Sequence, residues 1–260
     1  MKSLAHLPVD AVRALFGVCF DVDDTVTTHG TLDPAAYAAM FALRAAGLKL
    51  LAVTGRPLGF AEIIARTWPV DAAVGENGAG FVARTGATLR FGYWDPVEVR
   101  ITQQAQLARI QERVARELPD VHVSSDGWAR RCDLAFDIGE QASLPRTTVD
   151  ALVMLIQEEG ARTSVSSIHA HAQLGDHDKA RGIALAAREL WDLHTVADEF
   201  LFVGDSGNDA AAFSCFALTV GVANVAHHLD RLPTPPGYVT AASYGAGFAE
   251  LAREIVRVRS

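Results

Sequence analysis

Four short segments of the 260-residue chain carry side chains suited to chemistry. They are DVDDT (21–25), TGR (54–56), GDSGND (204–209) and the lone lysine of GDHDKARG, Lys179. Gathered together, Asp21, Asp23, Asp24, Asp205 and Asp209 would place several carboxylates in one site. Like charges at that density repel and push some of the pKa values up. A hard divalent cation relieves the repulsion, and carboxylates with a few waters suit Mg2+. Thr54 offers a hydroxyl and Lys179 a point charge, both matched to the oxygens of a phosphoryl group. A carboxylate nucleophile, a second carboxylate two residues on, a metal and a cationic clamp are the parts that phosphoryl transfer through an aspartyl-phosphate requires.

These segments must be brought together by the elements that carry them. GVCF (17–20) is a short apolar run ending in acids and reads as a buried strand. Asp33-Pro34 opens a helix that Gly47 closes, LKLLAV (48–53) is the next strand, and TGRP follows it. A helix over GFAEIIARTW and a strand in DAAVGENGAGFVA continue the alternation, the pattern of a parallel sheet with helices on its faces. The rhythm then changes. A hairpin turns at Thr85-Gly86, an amphipathic helix covers 97–117, and VHVSS (121–125) and RRCDLAFDIG (131–139) read as strands. TVDALVMLIQEEG (148–160) reads as a helix and ARTSVSSIHAHA (161–172) as one strand. The α/β rhythm resumes with a helix starting at Lys179, the strand EFLFVGDSGND (199–209), LTVGVAN (218–224) and a last helix after Gly247. The expected fold class is α/β. A parallel-sheet core, residues 1–93 and 171–260, is interrupted by a small α+β insert at 94–170. Ligands of open parallel sheets bind outside the carboxyl ends of the strands, so the four segments are expected to meet in one crevice.

Composition narrows the function classes. With 23 basic and 31 acidic residues the net charge is −8, which gives no global reason to bind nucleic acid or an anionic membrane. Three scattered cysteines form no CxxC pair and no disulfide framework. The N-terminal residues have no unbroken apolar core of leader length, and no apolar stretch reaches the ~20 residues that span a bilayer. The expectation is a cytoplasmic protein, a monomer or small homo-oligomer, whose partner is a small molecule.

DVDDT, TGR, a lone lysine and GDSGND, in that order, resemble the four motifs of the haloacid dehalogenase (HAD) superfamily of phosphohydrolases. The likeness covers the two core halves and the layout, and the long insert before Lys179 looks like that superfamily's type-two cap. The nearest match is subfamily IIB, which includes sucrose-phosphate phosphatase, mannosyl-phosphoglycerate phosphatase and phosphomannomutase; VGENGAGFV (74–82) and VGVANV (220–225) resemble its segments too. The resemblance implies a HAD-like Rossmannoid core and a Mg2+-dependent phosphomonoester hydrolase acting on a small phosphorylated metabolite, such as a sugar phosphate. By the same likeness Asp21 would be the nucleophile and Asp23 the acid that protonates the leaving alkoxide and then activates water. Asp21, the backbone carbonyl of Asp23 and Asp205 would hold Mg2+. Thr54, Gly55 and Lys179 would bind phosphate, with Asn208 and Asp209 behind them orienting metal waters or Lys179. Asp24 departs from the glycine usual at its position. Arg56, Asn77 and His169 are candidates for substrate contact.

Plainer readings stand beside these. An aspartate at a strand end can simply cap the next helix. A lone lysine at a helix start is most often solvated, and Arg130-Arg131 reads as a solvated strand edge. His169 and His171 read as satisfied structural histidines, and the four tryptophans as core packing rather than a sugar-stacking platform, with Trp94 and Trp128, in or beside the insert, the two that could depart from it. A phosphomutase or phosphotransferase would use the same aspartyl-phosphate. A noncatalytic phospho-acceptor module would share the acid pair, the threonine and the lysine.

Overall fold

The protein was analysed as a computed structural model that describes residues 1–166 and 168–260. In chain order the first core half holds β1 (Lys2–Ser3), α1 (Val9–Ala14), β2 (Gly17–Asp21), a small hairpin of β3 (Thr27–Thr28) and β4 (Thr31–Leu32), and α2 (Pro34–Ala45). It continues with β5 (Lys49–Val53), α3 (Leu58–Thr67), β6 (Ala72–Gly75), β7 (Gly80–Thr85) and β8 (Thr88–Tyr93). The insert contributes α4 (Val97–Glu117), β9 (Leu134–Asp137), α5 (Arg146–Glu158), β10 (Arg162–Val165) and β11 (His169–Gln173). The second core half holds α6 (Lys179–Trp191), β12 (Phe200–Gly204), α7 (Ala210–Cys215), β13 (Leu218–Gly221), β14 (Tyr238–Val239) and α8 (Tyr244–Arg259).

The core is a nine-stranded sheet in the order β1-β14-β13-β12-β2-β5-β6-β7-β8. Pairings from β1 through β6 are parallel, and β7 and β8 add an antiparallel edge. The apolar runs of the central strands follow from helices covering both faces. Val18, Phe20, Leu50, Ala52, Leu201 and Val203 pack with α1, α2, α3 and α8 on one face. Cys19, Leu51, Val53, Phe200 and Phe202 pack with α6 and α7 on the other. Consecutive residues of one strand thus enter different cores, as the period of two requires. Asp33 caps α2 by accepting a hydrogen bond from the Ala35 amide at 2.8 Å, with Pro34 as its first residue.

The insert builds its own core. Its antiparallel sheet, β10-β11-β9, lays Leu134, Phe136, Ala170 and Ala172 against Ile110, Val114, Leu152 and Ile156 of α4 and α5. Alternation turns the other face of the sheet, with His169, His171 and Gln173, away from that core.

Three expectations are corrected here. The segment read as one strand over 161–172 is a hairpin, with Val165 paired to Ala170; residue 167 lies outside the described residues. VHVSS makes only the single bridge Val123–Phe136, because turns at Leu118–Val121 and Ser124–Gly127 leave no length for a ladder. Trp128 is 86% exposed and packs in no core. Among the described residues, no helix is long and apolar enough to cross a membrane.

Candidate active site

Asp21 is the last residue of β2 and is paired in register with Val53 of β5, so Thr54 follows directly beside it. On the other side of β2, Val203 pairs with Phe20, and Asp205 comes just after β12 ends. Adjacent parallel strands therefore deliver Asp21, Thr54 and Asp205 to one edge of the sheet. Lys179 reaches the same place as the first residue of α6, whose N-cap Asp178 accepts from the Arg181 amide.

The lysine overturns the solvated reading. Its side chain has no exposure, and its Nζ lies 2.7 Å from Asp21 Oδ1 and 2.6 Å from Asp209 Oδ1. Burial and the helix dipole both disfavour a cation there. The Asp209 and Asp21 carboxylates outweigh burial and hold the ammonium well above its usual pKa. Asp209 is fixed in turn by the amides of Asp205 (2.9 Å) and Ser206 (3.0 Å), which donate to its Oδ2. That loop needs Gly204, since a Cβ there would sit 2.4 Å from Asp209 Oδ2.

Asp21, Asp205 and Asp209 each present an oxygen within 4.8 Å of the others. Burial raises the pKa of Asp21, and burial together with the charges of Asp21 and Asp209 raises that of Asp205. One lysine leaves this buried cluster short of positive charge, and hard oxygen donors are what Mg2+ takes. The residues present fit that ion. Asp205 is oriented by two groups that sequence reasoning missed. The Thr25 hydroxyl donates to its Oδ1 at 3.3 Å, and Asn224 Nδ2 donates to its Oδ2 at 3.1 Å. Asn224 also donates to the Asp24 carbonyl at 3.0 Å. Asp24 itself has φ 56°, which explains why glycine suits that position and why an aspartate is tolerated.

Asp23 points elsewhere. Its carboxylate takes the Arg56 guanidinium at 3.0–3.2 Å, and the Thr54 hydroxyl donates to it at 3.4 Å. Arg56 also lies 2.7 Å from Glu140 and 3.6 Å from Asp126, both in the insert. Burial opposes its charge, but Asp23 and Glu140 hold the guanidinium well above its usual pKa.

The insert sits closed on the core. Asp21, Asp23, Gly55, Arg56, His169, His171, Ser206 and Asn208 line a chamber of about 10 Å³. That is room for about one water. Arg130, read from sequence as solvated, has a side chain only 2% exposed. It donates to the Gly55 carbonyl at 3.0 Å and to Asp133 at 2.8 Å. Glu76, with φ 49°, is fully buried and accepts the amides of Leu58, Arg131, Cys132 and Asp133. Its carboxylate therefore staples the insert to the core. GENG hints at an unusual turn, but nothing in the sequence names these distant partners.

The two histidines are buried and partnered. His171 Nδ1 lies 2.9 Å from Asp133 and His169 Nε2 3.1 Å from Glu140. Burial, then the facing charges of His171 and Arg130, push His169 down to about 4, outweighing its acid neighbours. Burial likewise lowers His171. Asn77 is buried behind Asn208, whose Nδ2 donates to its Oδ1 at 3.1 Å. Asp21, Asp23, Gly55, Arg56, His169 and Asn208 thus meet around the chamber, with Thr54 behind Asp23; Lys179, Asp205 and Asp209 lie in the acid cluster beside it.

No protein-family model and no curated protein matches the chain in sequence. Solved structures do match it. A Thermoplasma acidophilum protein aligns with a TM-score of 0.73 at 18% identity, covering 93% of this chain and 98% of its own. Sucrose-phosphatase from Synechocystis, solved with sucrose and phosphate, gives 0.67 at 17% identity, covering 94% and 98%. A HAD-superfamily phosphatase from Bacteroides thetaiotaomicron gives 0.60 at 19%, covering 95% and 96%. Likeness at this level of identity speaks to architecture, and on that ground the chain has the HAD fold, core and insert together.

Proposed function

We propose that the protein is a phosphomonoester hydrolase that works through an aspartyl-phosphate on Asp21. The observation that carries this reading is the buried cluster of Asp21, Asp205, Asp209 and Lys179 at the carboxyl edge of the sheet, beside Asp23. In the first step an Asp21 oxygen bonds to phosphorus and the ester P–O bond breaks. Asp23, released from the Arg56 guanidinium that pairs it here and carrying a proton taken from solvent, gives that proton to the departing alkoxide. In the second step Asp23 takes a proton from water, the water oxygen bonds to phosphorus, and the Asp21–phosphorus bond breaks. Thr54, Gly55 and Lys179 hold the phosphate oxygens, while Asp209 fixes Lys179 and Asn208 stands behind.

Asp21, Asp205 and the Asp23 carbonyl would hold Mg2+, which when bound offsets the charge of the acids and of the phosphate. The closed insert excludes bulk water from the chamber during transfer. We read residues 94–170 as the cap that sets specificity over a core of 1–93 and 171–260. Its sheet runs on to Gln173. Arg56, Asn77 and His169 are the candidate substrate contacts. A small phosphorylated metabolite such as a sugar phosphate is the substrate class that the sucrose-phosphatase and a HAD subclass IIB sugar phosphatase among the structural neighbours support. The protein acts in the cytoplasm as a monomer or small homo-oligomer on this reading.

The test is release of phosphate from nitrophenyl phosphate with Mg2+. Activity is expected to vanish in excess EDTA and in Asp21→Asn. Full activity under either condition refutes the reading.

A further inference from the structure

A second cavity, of about 350 Å³, lies next to the chamber, between the β10–β11 hairpin and the start of α6. Asn208 lines both spaces. The size is within the ~300–1,000 Å³ usual for small-molecule sites, whereas the chamber is not. Buried polar atoms are nearly always hydrogen-bonded. Six buried side-chain atoms among the described residues have no partner, and five of them belong to residues lining this one cavity. They are Asn77 Nδ2, Ser164 Oγ, Gln173 Nε2 and both ring nitrogens of His177. Asn77, Gln173 and His177 are only 3%, 4% and 1% exposed. Leaving such groups unpaired costs about 1–3 kcal/mol each, so their concentration here points to a ligand that satisfies them.

The chemistry of that ligand follows from the lining. The charged groups around the cavity are already engaged. Lys179 is held by Asp21 and Asp209, Arg162 donates to the carbonyls of Gly175 and His177, and Asp178 caps α6. The unsatisfied set is instead neutral and mixed: two amide donors, an imidazole with one donor and one acceptor, and a hydroxyl with both capacities. Hydroxyl groups, which donate and accept, complement such a set. Strand register supports one continuous surface. Ser164 pairs with His171, and His171 and Gln173 alternate on the same face of β11, so the polar stripe runs from the chamber into the cavity.

We infer that this side cavity, through Asn77, Ser164, Gln173 and His177, is a subsite for the uncharged, hydroxyl-bearing part of the phosphate ester. The inference rests on the phosphatase reading and extends it. The test compares kcat/KM for nitrophenyl phosphate with kcat/KM for glycerol phosphate and glucose phosphate, in the wild type and in Gln173→Leu and His177→Phe. The wild type is expected to favour at least one of the polyol esters. Each variant is expected to lower its polyol-to-aryl ratio about tenfold, the scale of one or two lost hydrogen bonds. Turnover of the aryl ester with no polyol preference, or variants that leave the ratio unmoved, overturns the subsite while the phosphatase reading stands. No turnover of any ester removes both. Binding is read separately from folding of those variants by side-chain amide NMR of Asp21→Asn. The Asn77 and Gln173 signals should move with glucose phosphate or glycerol phosphate and stay with inorganic phosphate. Signals unmoved by either ester overturn the inference.

Discussion

Arg56 carries a partly buried ionic contact between core and insert, beside the more exposed Arg131–Glu62 pair at 3.6 Å, and methionine at that position removes the charge while keeping an apolar stem. Across the seam the guanidinium meets Glu140 at 2.7 Å and Asp126 at 3.6 Å, while Asp23 holds it at 3.0 Å from its own side; its side chain is 14% exposed against 27% and 6% for the two insert partners. Exposed pairs contribute ~0–1 kcal/mol, while breaking a fully buried one costs ~3–5. The partial burial here sets the expected loss near 2 kcal/mol, or roughly thirtyfold in the equilibrium between closed and open seams. The readout is hydrogen exchange at the amides of Arg131, Cys132 and Asp133, which the Glu76 carboxylate holds across that seam. Exchange there should quicken about thirtyfold in Arg56→Met, while strands β2, β5 and β12 keep their protection. A change of less than about threefold at those three amides, with the variant folded, refutes the idea that Arg56 latches the insert.

Glu76→Gln tests the staple itself. An amide nitrogen would then face two backbone donors, and the expected destabilisation is about 2–4 kcal/mol in urea unfolding; a loss under about 1 kcal/mol contradicts the account. Acid should weaken the fold through His169. The unfolded ring binds its proton below about 6.5 and the folded ring only below about 4, so this contribution is intact above 6.5 and is lost as pH falls through that window. The loss is about 3 kcal/mol, and His169→Gln should flatten that part of the stability–pH curve; an unchanged slope contradicts it. Lys179→Met strips the cation from between Asp21 and Asp209, and is expected to abolish phosphate release and cost about 3–5 kcal/mol in urea unfolding. Half of wild-type turnover in that variant would contradict its assigned part.

How far the sequence carries depends on how local each feature is. GVCFD, KLLAV and FLFVG are short apolar runs before polar ends, and the parallel rhythm alone places their carboxyl ends together. Asp21, Thr54 and Asp205 were legible for that reason, and Lys179 as the lone lysine opening a core helix. The seam was not. Glu76 meets Arg131 through Asp133 across 55 or more residues, and Arg56 meets Glu140 across more, so no window of sequence contains both partners. Arg130 defaults to solvent in any reading by residue type; its partners Asp126 and Asp133 are only four and three residues away, but nothing local shows that these pairs are buried or that the guanidinium reaches the Gly55 carbonyl. The β10–β11 break was hidden because ARTSVSSIHAHA contains no glycine, proline, asparagine or aspartate to mark a turn. Thr25 and Asn224 sat in readable motifs, but their task of steadying Asp205 needs coordinates.

The most direct measurement is chemical trapping of the phosphorylated protein. Wild type turning over nitrophenyl phosphate with Mg2+ is quenched, the acyl phosphate is reduced with borohydride, and the peptides are sequenced by mass spectrometry. The account predicts that residue 21 is recovered as homoserine and that an Asp21→Asn sample yields none. Steady phosphate release with the modification on another residue, or on none, would contradict it.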